Sequence, residues 1–273
     1  MLQAPRLWLS PFDKLRANGG VGLPTTERHP SQSWDLSRSK RSACGTRPRL
    51  PLGVTERALD RRPHFGHDAA MAKLYFYYAS MNAGKSTTLL QADFNYRERG
   101  METMLFTAAI DDRFAAGQIA SRIAISAPAT AFDATTDLLQ CVVDECQQRP
   151  LACVLVDEAQ FLTEGQVAEL ARVCDELGVP VLAYGLRTDF QGRLFPGSAR
   201  LLAIADALIE IKSVCMCGRK ATMNLRVDAA GNPVRQGAQT EIGGNDRYIA
   251  LCRKHFMAAM AGEPLSIGSA AMA

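Results

Sequence analysis

The chain has 273 residues and a formal net charge of +3, from 31 Lys and Arg against 28 Asp and Glu. That length suits one large domain or two smaller ones, and no apolar run approaches the ~18 residues needed to cross a bilayer. The near-neutral total hides a split close to Met71: residues 1–70 hold 12 of the basic and 6 of the acidic residues, so the remainder is net acidic, which argues against a nucleic-acid-binding body.

Residues 1–70 also carry both tryptophans, three of the four histidines and seven of the 13 prolines. They show no sustained helix or strand period and too little apolar surface to offset the entropy of ordering. A disordered extension is expected there, with an over-extended gene start and first residue at Met71 as the favoured reading. A basic nucleic-acid arm and an Arg- and Ser-rich targeting peptide are the alternatives; scattered acids and proline breaks count against the latter.

From residue 71 onward, short apolar runs alternate with amphipathic stretches. Strands are expected at 74–78, 104–107, 153–156, 181–184 and 208–211, with helices at 85–99, 134–148, 164–177 and 198–205. Gly100 and Gly178 serve as helix stops, with Pro180 just beyond the second. Near-continuous apolar strands in this alternation predict an α/β fold with a parallel sheet covered by helices. After Cys215 the character changes: 222–227 reads as a strand, AAGNP as a turn, and Gly- and Gln-rich sequence follows to about 247. This predicts a small β-rich appendage, then a short helix and a flexible tail over 263–273.

Three constellations carry chemistry. The first is YFYYASMNAGKSTT at 75–88, a strand leading into a possible phosphate-binding loop and a helix. In such a loop the backbone N–H groups of Ala79, Ser80, Met81, Asn82, Ala83 and Gly84 curl round phosphates. Lys85 reaches their outer oxygens and the Ser86 hydroxyl ligates Mg²⁺. Ala79 stands where such loops usually have glycine, which weakens the pattern because alanine tolerates a positive φ poorly. The bland alternative is an ordinary strand-to-helix turn that spells GKS.

The second is CVLVDEAQF at 153–161, an apolar strand ending in Asp157 and Glu158 at the edge of a parallel sheet where ligands bind. Asp157 is placed to hold the Mg²⁺ shell, and Glu158, Ala159 and Gln160 follow beside the nucleotide. The third is Cys215-Met-Cys217 with Cys252-Arg-Lys-His255, three thiolates and an imidazole that match a closed, structural zinc site. Free thiols near a core edge are the competing reading. Cys141, Cys146, Cys153 and Cys174 lie in apolar segments and read as small core residues in a reducing compartment.

YFYYASMNAGKST, IDDRF, VDEAQF, YGLRTDFQGRLF, CMCGRKA, IGGNDRY and CRKH occur in this order over residues 71–262. Together they resemble the bacterial branch of the cytosolic, zinc-containing thymidine kinases; residues 1–70 take no part. The resemblance implies a RecA-like P-loop domain at 71–213 and a zinc-binding lasso domain at 214–262. It implies transfer of the γ-phosphate of ATP to the 5′-hydroxyl of thymidine or deoxyuridine, with Mg²⁺ and a structural Zn²⁺. Glu158 becomes the proton acceptor, and Lys85 and Arg113 offset charge on the transferring group; an ion pair of Arg113 with Asp111 or Asp112 is the competing assignment. Met81, Phe161, Phe190, Phe195 and Tyr248 match the nucleoside pocket, and Gly243 and Gly244 lie in the loop, roughly 233–248, that closes over the base. Some bacterial members of the family lack the first glycine of the phosphate loop.

The same resemblance implies a tetramer or dimer in the cytoplasm, with a homotetramer expected, and feedback inhibition by thymidine triphosphate. The net acidic body and the lack of a long apolar run predict no nucleic-acid or membrane partner. Two other functions remain open on the sequence: a P-loop ATPase with a zinc module acting on nucleic acid, and a non-enzymatic zinc-binding interaction module with a decayed nucleotide loop.

Overall fold

The computed structural model describes residues 71–110, 117–121, 123–239 and 247–263. The expectations for residues 1–70 and for the tail lie outside these residues.

Six strands form one sheet in the order β5-β2-β6-β7-β1-β8: Thr130–Phe132, Glu102–Ala108, Leu151–Val156, Val181–Leu186, Leu74–Ala79 and Ala207–Glu210. Every pairing in it is parallel. Side chains alternate between the two faces of a strand, and here both faces are covered. Leu74, Phe76, Phe106, Val154, Val156, Val181 and Ala183 pack in the core that includes α2 (Leu138–Gln148), α3 (Glu164–Leu177) and α4 (Pro196–Ile204). Leu105, Cys153, Leu155, Leu182 and Tyr184 pack with Leu89 and Leu90 of α1 (Lys85–Arg97) in a second core. Two-sided burial accounts for strands that are apolar at nearly every position.

The helix ends follow local chemistry. α3 begins at Thr163, whose side chain accepts from the Gln166 amide while Gln166 reaches back to the Thr163 amide, and it ends at Gly178 with φ 68°. Both ends match the expected 164–177. α2 starts four residues later than expected because Asp133 ties Thr135 and Thr136 into a turn, leaving Asp137 to cap the helix through the Gln140 amide. α1 ends at Arg97, and the left-handed Gly100 returns its N–H to the Arg97 carbonyl. The three-residue strands β3 (Gln118–Ala120) and β4 (Ser126–Pro128), like β5, were not expected; segments so short carry no readable period.

Beyond β8 the chain builds a small β-rich module. Ser213–Val214 (β9) pairs antiparallel with Lys220–Ala221 (β10), and Met223–Arg226 (β11) pairs antiparallel with Tyr248–Leu251 (β12). Helix α5, Arg253–Ala261, follows. The expected AAGNP turn is closed by Asp228, which accepts the amides of Ala230 and Asn232. Leu225, Val227, Leu251, Phe256 and Ala259 form a core of their own with Cys215 and Cys252.

Candidate active site

The carboxyl ends of β1, β6 and β7 lie side by side, and the loops leaving them meet at one edge of the sheet. Ala79 is the last residue of β1 and buried. It is not among the residues with positive φ, so the missing glycine carries no backbone strain. The left-handed turns fall later in the loop, at Asn82 (φ 62°) and at Gly84 (φ 81°), which caps α1. Asparagine and glycine are the residues that adopt this conformation most readily. Lys85 is buried and folds its ammonium back onto the Ser80 carbonyl at 3.2 Å. The Ser80 hydroxyl is buried and has no hydrogen-bond partner among the described residues, and neither has the Thr188 hydroxyl at the end of β7. Buried polar atoms without partners are uncommon in native structures; here two stand at the edge where a phosphate-bearing ligand would rest.

Asp157 follows β6. Its Oδ2 accepts from the Ser86 hydroxyl at 2.8 Å and its Oδ1 from the Glu158 amide at 3.0 Å. Burial, followed by the adjacent Glu158 carboxylate, pushes the Asp157 pKa up to about 7. A divalent cation against the Ser86 and Asp157 oxygens would offset that cost, and such hard oxygen donors are the kind magnesium takes.

Glu158 adopts the left-handed region, φ 51° and ψ 39°. For a residue with a Cβ this conformation costs roughly 1–2 kcal/mol, and such strain tends to gather at functional positions. The next residues, Ala159–Phe161, form a single 3-10 turn. From it Gln160 donates its Nε2 to Glu158 Oε2 at 2.5 Å, while its Oε1 accepts the Leu186 amide at 2.9 Å. The backbone donor fixes the orientation of this side-chain amide, so its N–H end must face the carboxylate. Replacing Gln160 by leucine leaves the Leu186 N–H unpaired and removes the amide that holds Glu158 Oε2. We expect a loss of about 1–3 kcal/mol of stability, read as a lower Tm, with a roughly tenfold drop in kcat. Unchanged turnover would show that the anchor is dispensable.

In the small module Cys215, Cys217, Cys252 and His255 bring their donor atoms within 4.8 Å of one another. Cys215 Sγ lies 3.3 Å from His255 Nδ1, and the Cys217 and Cys252 sulfurs are 3.8 Å apart. Zn–S bonds of about 2.3 Å in a tetrahedron put neighbouring sulfurs ~3.8 Å apart, so the cluster fits zinc. With four protein donors no position is left for water. Elsewhere burial pushes the Cys153 and Cys174 thiols up to about 12, as expected of inert core residues.

A family model described as thymidine kinase matches residues 72–256. The chain belongs to the thymidine kinase family. It is 70% identical to a thymidine kinase of Novosphingobium aromaticivorans over 190 residues, 70% of this chain and 99% of that protein. Identity to the thymidine kinase of Zymomonas mobilis is 68% over 187 residues, covering 68% and 97% of the two chains. For that of Escherichia coli O157:H7 it is 57% over 199 residues, covering 73% and 95%.

In this member of the thymidine kinase family, Phe161 and Phe195 meet edge to face with ring centres 6.0 Å apart, next to the Glu158 turn. Phe190 is buried, and its ring carries the Arg226 guanidinium at 3.8 Å. Tyr248 opens β12 opposite Arg226. Arg113, Gly243 and Gly244 lie outside the described residues. The sequence reading passed over Asp189, Asn224 and Arg226. Asp189 is buried, accepts the amides of Gln191 and Arg193, and takes the Gln239 side chain at 3.0 Å. Arg226 donates to the carbonyls of Ala238 and Gln236, fixing the described start of the loop that follows. The only signal for Arg226 was its alternation with apolar residues along β11.

Proposed function

We propose that this chain transfers the γ-phosphoryl group of ATP to the 5′-hydroxyl of thymidine, giving dTMP and ADP. The observation that carries the reading is the convergence of Lys85, the Ser86–Asp157 pair and Glu158 at one edge of the sheet. Phosphoryl transfer asks a protein mainly for positioning and charge neutralisation, and these residues are suited to both. The loop amides hold the phosphates together with Lys85, except that of Met81, which was expected among them but is taken by the Asn224 side chain. Arg113 adds positive charge. Mg²⁺ held by Ser86 and Asp157 would supply charge neutralisation across the phosphate oxygens. Glu158 orients the 5′-hydroxyl and takes its proton as the new O–P bond forms and the bond to the leaving ADP breaks. Zn²⁺ held by Cys215, Cys217, Cys252 and His255 has a structural role.

We place the division between kinase and lasso domains at 213/214. The base and sugar bind among Met81, Phe161, Phe190, Phe195, Tyr248, Gly243 and Gly244. A homotetramer, inhibition by thymidine triphosphate and a cytoplasmic location belong to the same reading, supported by the family resemblance. No helix among the described residues is long and apolar enough to cross a membrane.

The deciding experiment is ATP-dependent phosphorylation of thymidine by the full chain. DNA-stimulated ATP hydrolysis without nucleoside phosphorylation would overturn the reading. One missing methyl in an apolar pocket is worth about 1–3 kcal/mol. Deoxyuridine should therefore be accepted with kcat/KM lowered ~10–200-fold, whereas deoxycytidine, with its reversed donor pattern, should be refused. Comparable turnover of deoxycytidine and thymidine would contradict the proposed pocket.

A further inference from the structure

One buried side chain of the small module reaches into the phosphate loop. Asn224 lies on β11, only 2% exposed. Its Oδ1 accepts the backbone N–H of Met81 at 2.7 Å, and its Nδ2 donates to the Thr188 carbonyl at 2.9 Å. A donor on one side and an acceptor on the other demand a side chain with both ends of an amide. Two residues further along the strand, and therefore on the same face, Arg226 holds the carbonyls of Gln236 and Ala238. The opposite face sends Leu225 and Val227 into the module's own core. One short strand thus grips the phosphate loop with one side chain and the loop at 236–238 with the other.

Met81 stands immediately before the left-handed Asn82 and Gly84. A loop with two such residues can take several shapes, and its phosphate seat exists only in one. Within the loop, Lys85 closes on the Ser80 carbonyl. From outside it, Asn224 fixes the Met81 amide, one residue before the first left-handed turn.

We infer that Asn224 is a positioning residue through which the small module sets the shape of the phosphate loop and so the seat of the ATP phosphates. The inference rests on the kinase reading, but it concerns nucleotide affinity and is testable apart from nucleoside turnover. Asn224 touches neither reactant; it acts through the Met81 backbone.

The test compares full-length wild type with Asn224→Leu, which keeps the volume and removes both hydrogen bonds, and Asn224→Asp, which keeps the acceptor for Met81. Affinity for MgADP is measured by calorimetry, KM for ATP and for thymidine by initial rates, and zinc content by elemental analysis. Leucine should weaken MgADP binding and raise KM for ATP by roughly tenfold or more, the scale of one lost buried hydrogen bond, with zinc content unchanged. Aspartate should recover most of that loss. A merely structural role would instead lower the active fraction, reducing kcat while leaving KM and MgADP affinity alone, and that result overturns the inference. So does an aspartate variant as impaired as leucine. If leucine fails to fold, the aspartate variant alone decides: nucleotide affinity within about threefold of wild type supports the Met81 contact, and a larger loss removes it. Wild type that binds MgADP but leaves thymidine unmodified would defeat the kinase reading while leaving the Asn224 comparison intact.

Discussion

Replacing Glu158 by glutamine is expected to lower kcat for thymidine by about 10²–10⁴-fold, the usual weight of a positioned proton acceptor. Shape is conserved, because the new side-chain oxygen can still accept from Gln160 Nε2, now 2.5 Å from Glu158 Oε2. What disappears is the carboxylate proposed to receive the 5′-hydroxyl proton. KM for ATP should stay within about threefold, since an interaction made only in the transition state leaves ground-state binding unaltered. A rise in KM at constant kcat would reassign Glu158 to substrate binding. Glycine at the same position makes a sharper contrast. It accepts φ 51° without strain, relieving roughly 1–2 kcal/mol, and it removes a carboxylate that raises the pKa of buried Asp157. Glu158→Gly also leaves the buried Gln160 Nε2 without its acceptor, a cost of about 1–3 kcal/mol that offsets the strain relief. It should therefore melt close to wild type while turning over as poorly as the glutamine variant. A lower Tm would mean that Glu158 contributes more to packing than it costs in backbone strain.

Removing one of the proposed zinc ligands should have the second large effect, and it acts on folding. Cys252→Ala is expected to abolish zinc binding and to unfold the small module. The module's own core is slight, chiefly Leu225, Val227, Leu251, Phe256 and Ala259. Below about 70–80 residues a single hydrophobic core rarely supplies more than about 3–5 kcal/mol, and small domains commonly add a metal or disulfides. Structural zinc contributes about 10–16 kcal/mol of apparent binding energy in zinc-finger peptides, far more than these side chains can replace. Elemental analysis should fall from about one zinc per chain to none, and a new low-temperature transition should appear in thermal melts. Thymidine turnover should be lost with it, since β11 carries Asn224 and β12 opens with Tyr248. A chelator should reproduce the variant. Full activity in a zinc-free protein would refute a structural role for the cluster.

The long elements were legible because their physics is local. Strands buried on both faces are apolar throughout, and α3 announces itself through Thr163, Gln166 and Gly178. The three-residue strands around residues 118–132 were invisible, because too few residues form each one to establish a period. Ala79 misled in an instructive way: the concern over its φ was sound chemistry applied to the wrong residue, since the loop turns left-handed at Asn82 and Gly84. Asn224 and Arg226 were missed for a related reason. Polar residues alternating with Leu225 and Val227 look like the solvent side of a strand. In the folded chain that side is buried, and its hydrogen bonds go to segments 35 or more positions away and to the neighbouring loop. The clustering of Cys215, Cys217, Cys252 and His255, by contrast, was legible from residue type and spacing alone, because a tetrahedral site admits few other donor sets.

The strand order has a consequence for reach. β7 lies between β1, which leads to the phosphate loop, and β6, which leads to Glu158. Adjacent strands are about 4.8 Å apart, so the two reacting ends are held about two strand widths, ~9.6 Å, from each other. In the proposed reaction that interval would accommodate the departing oxygen, the phosphorus and the incoming hydroxyl in line. β7 thereby works as a gauge block. Gly185, near its tip, has no side chain, and a Cβ there would come within 3.0 Å of the Gln160 amide nitrogen and Oε1. The stacking of Tyr77 on Tyr184, 4.6 Å between ring centres, keeps β1 and β7 in register. The span available to the chemistry is therefore metered by a strand that contributes none of the proposed catalytic side chains.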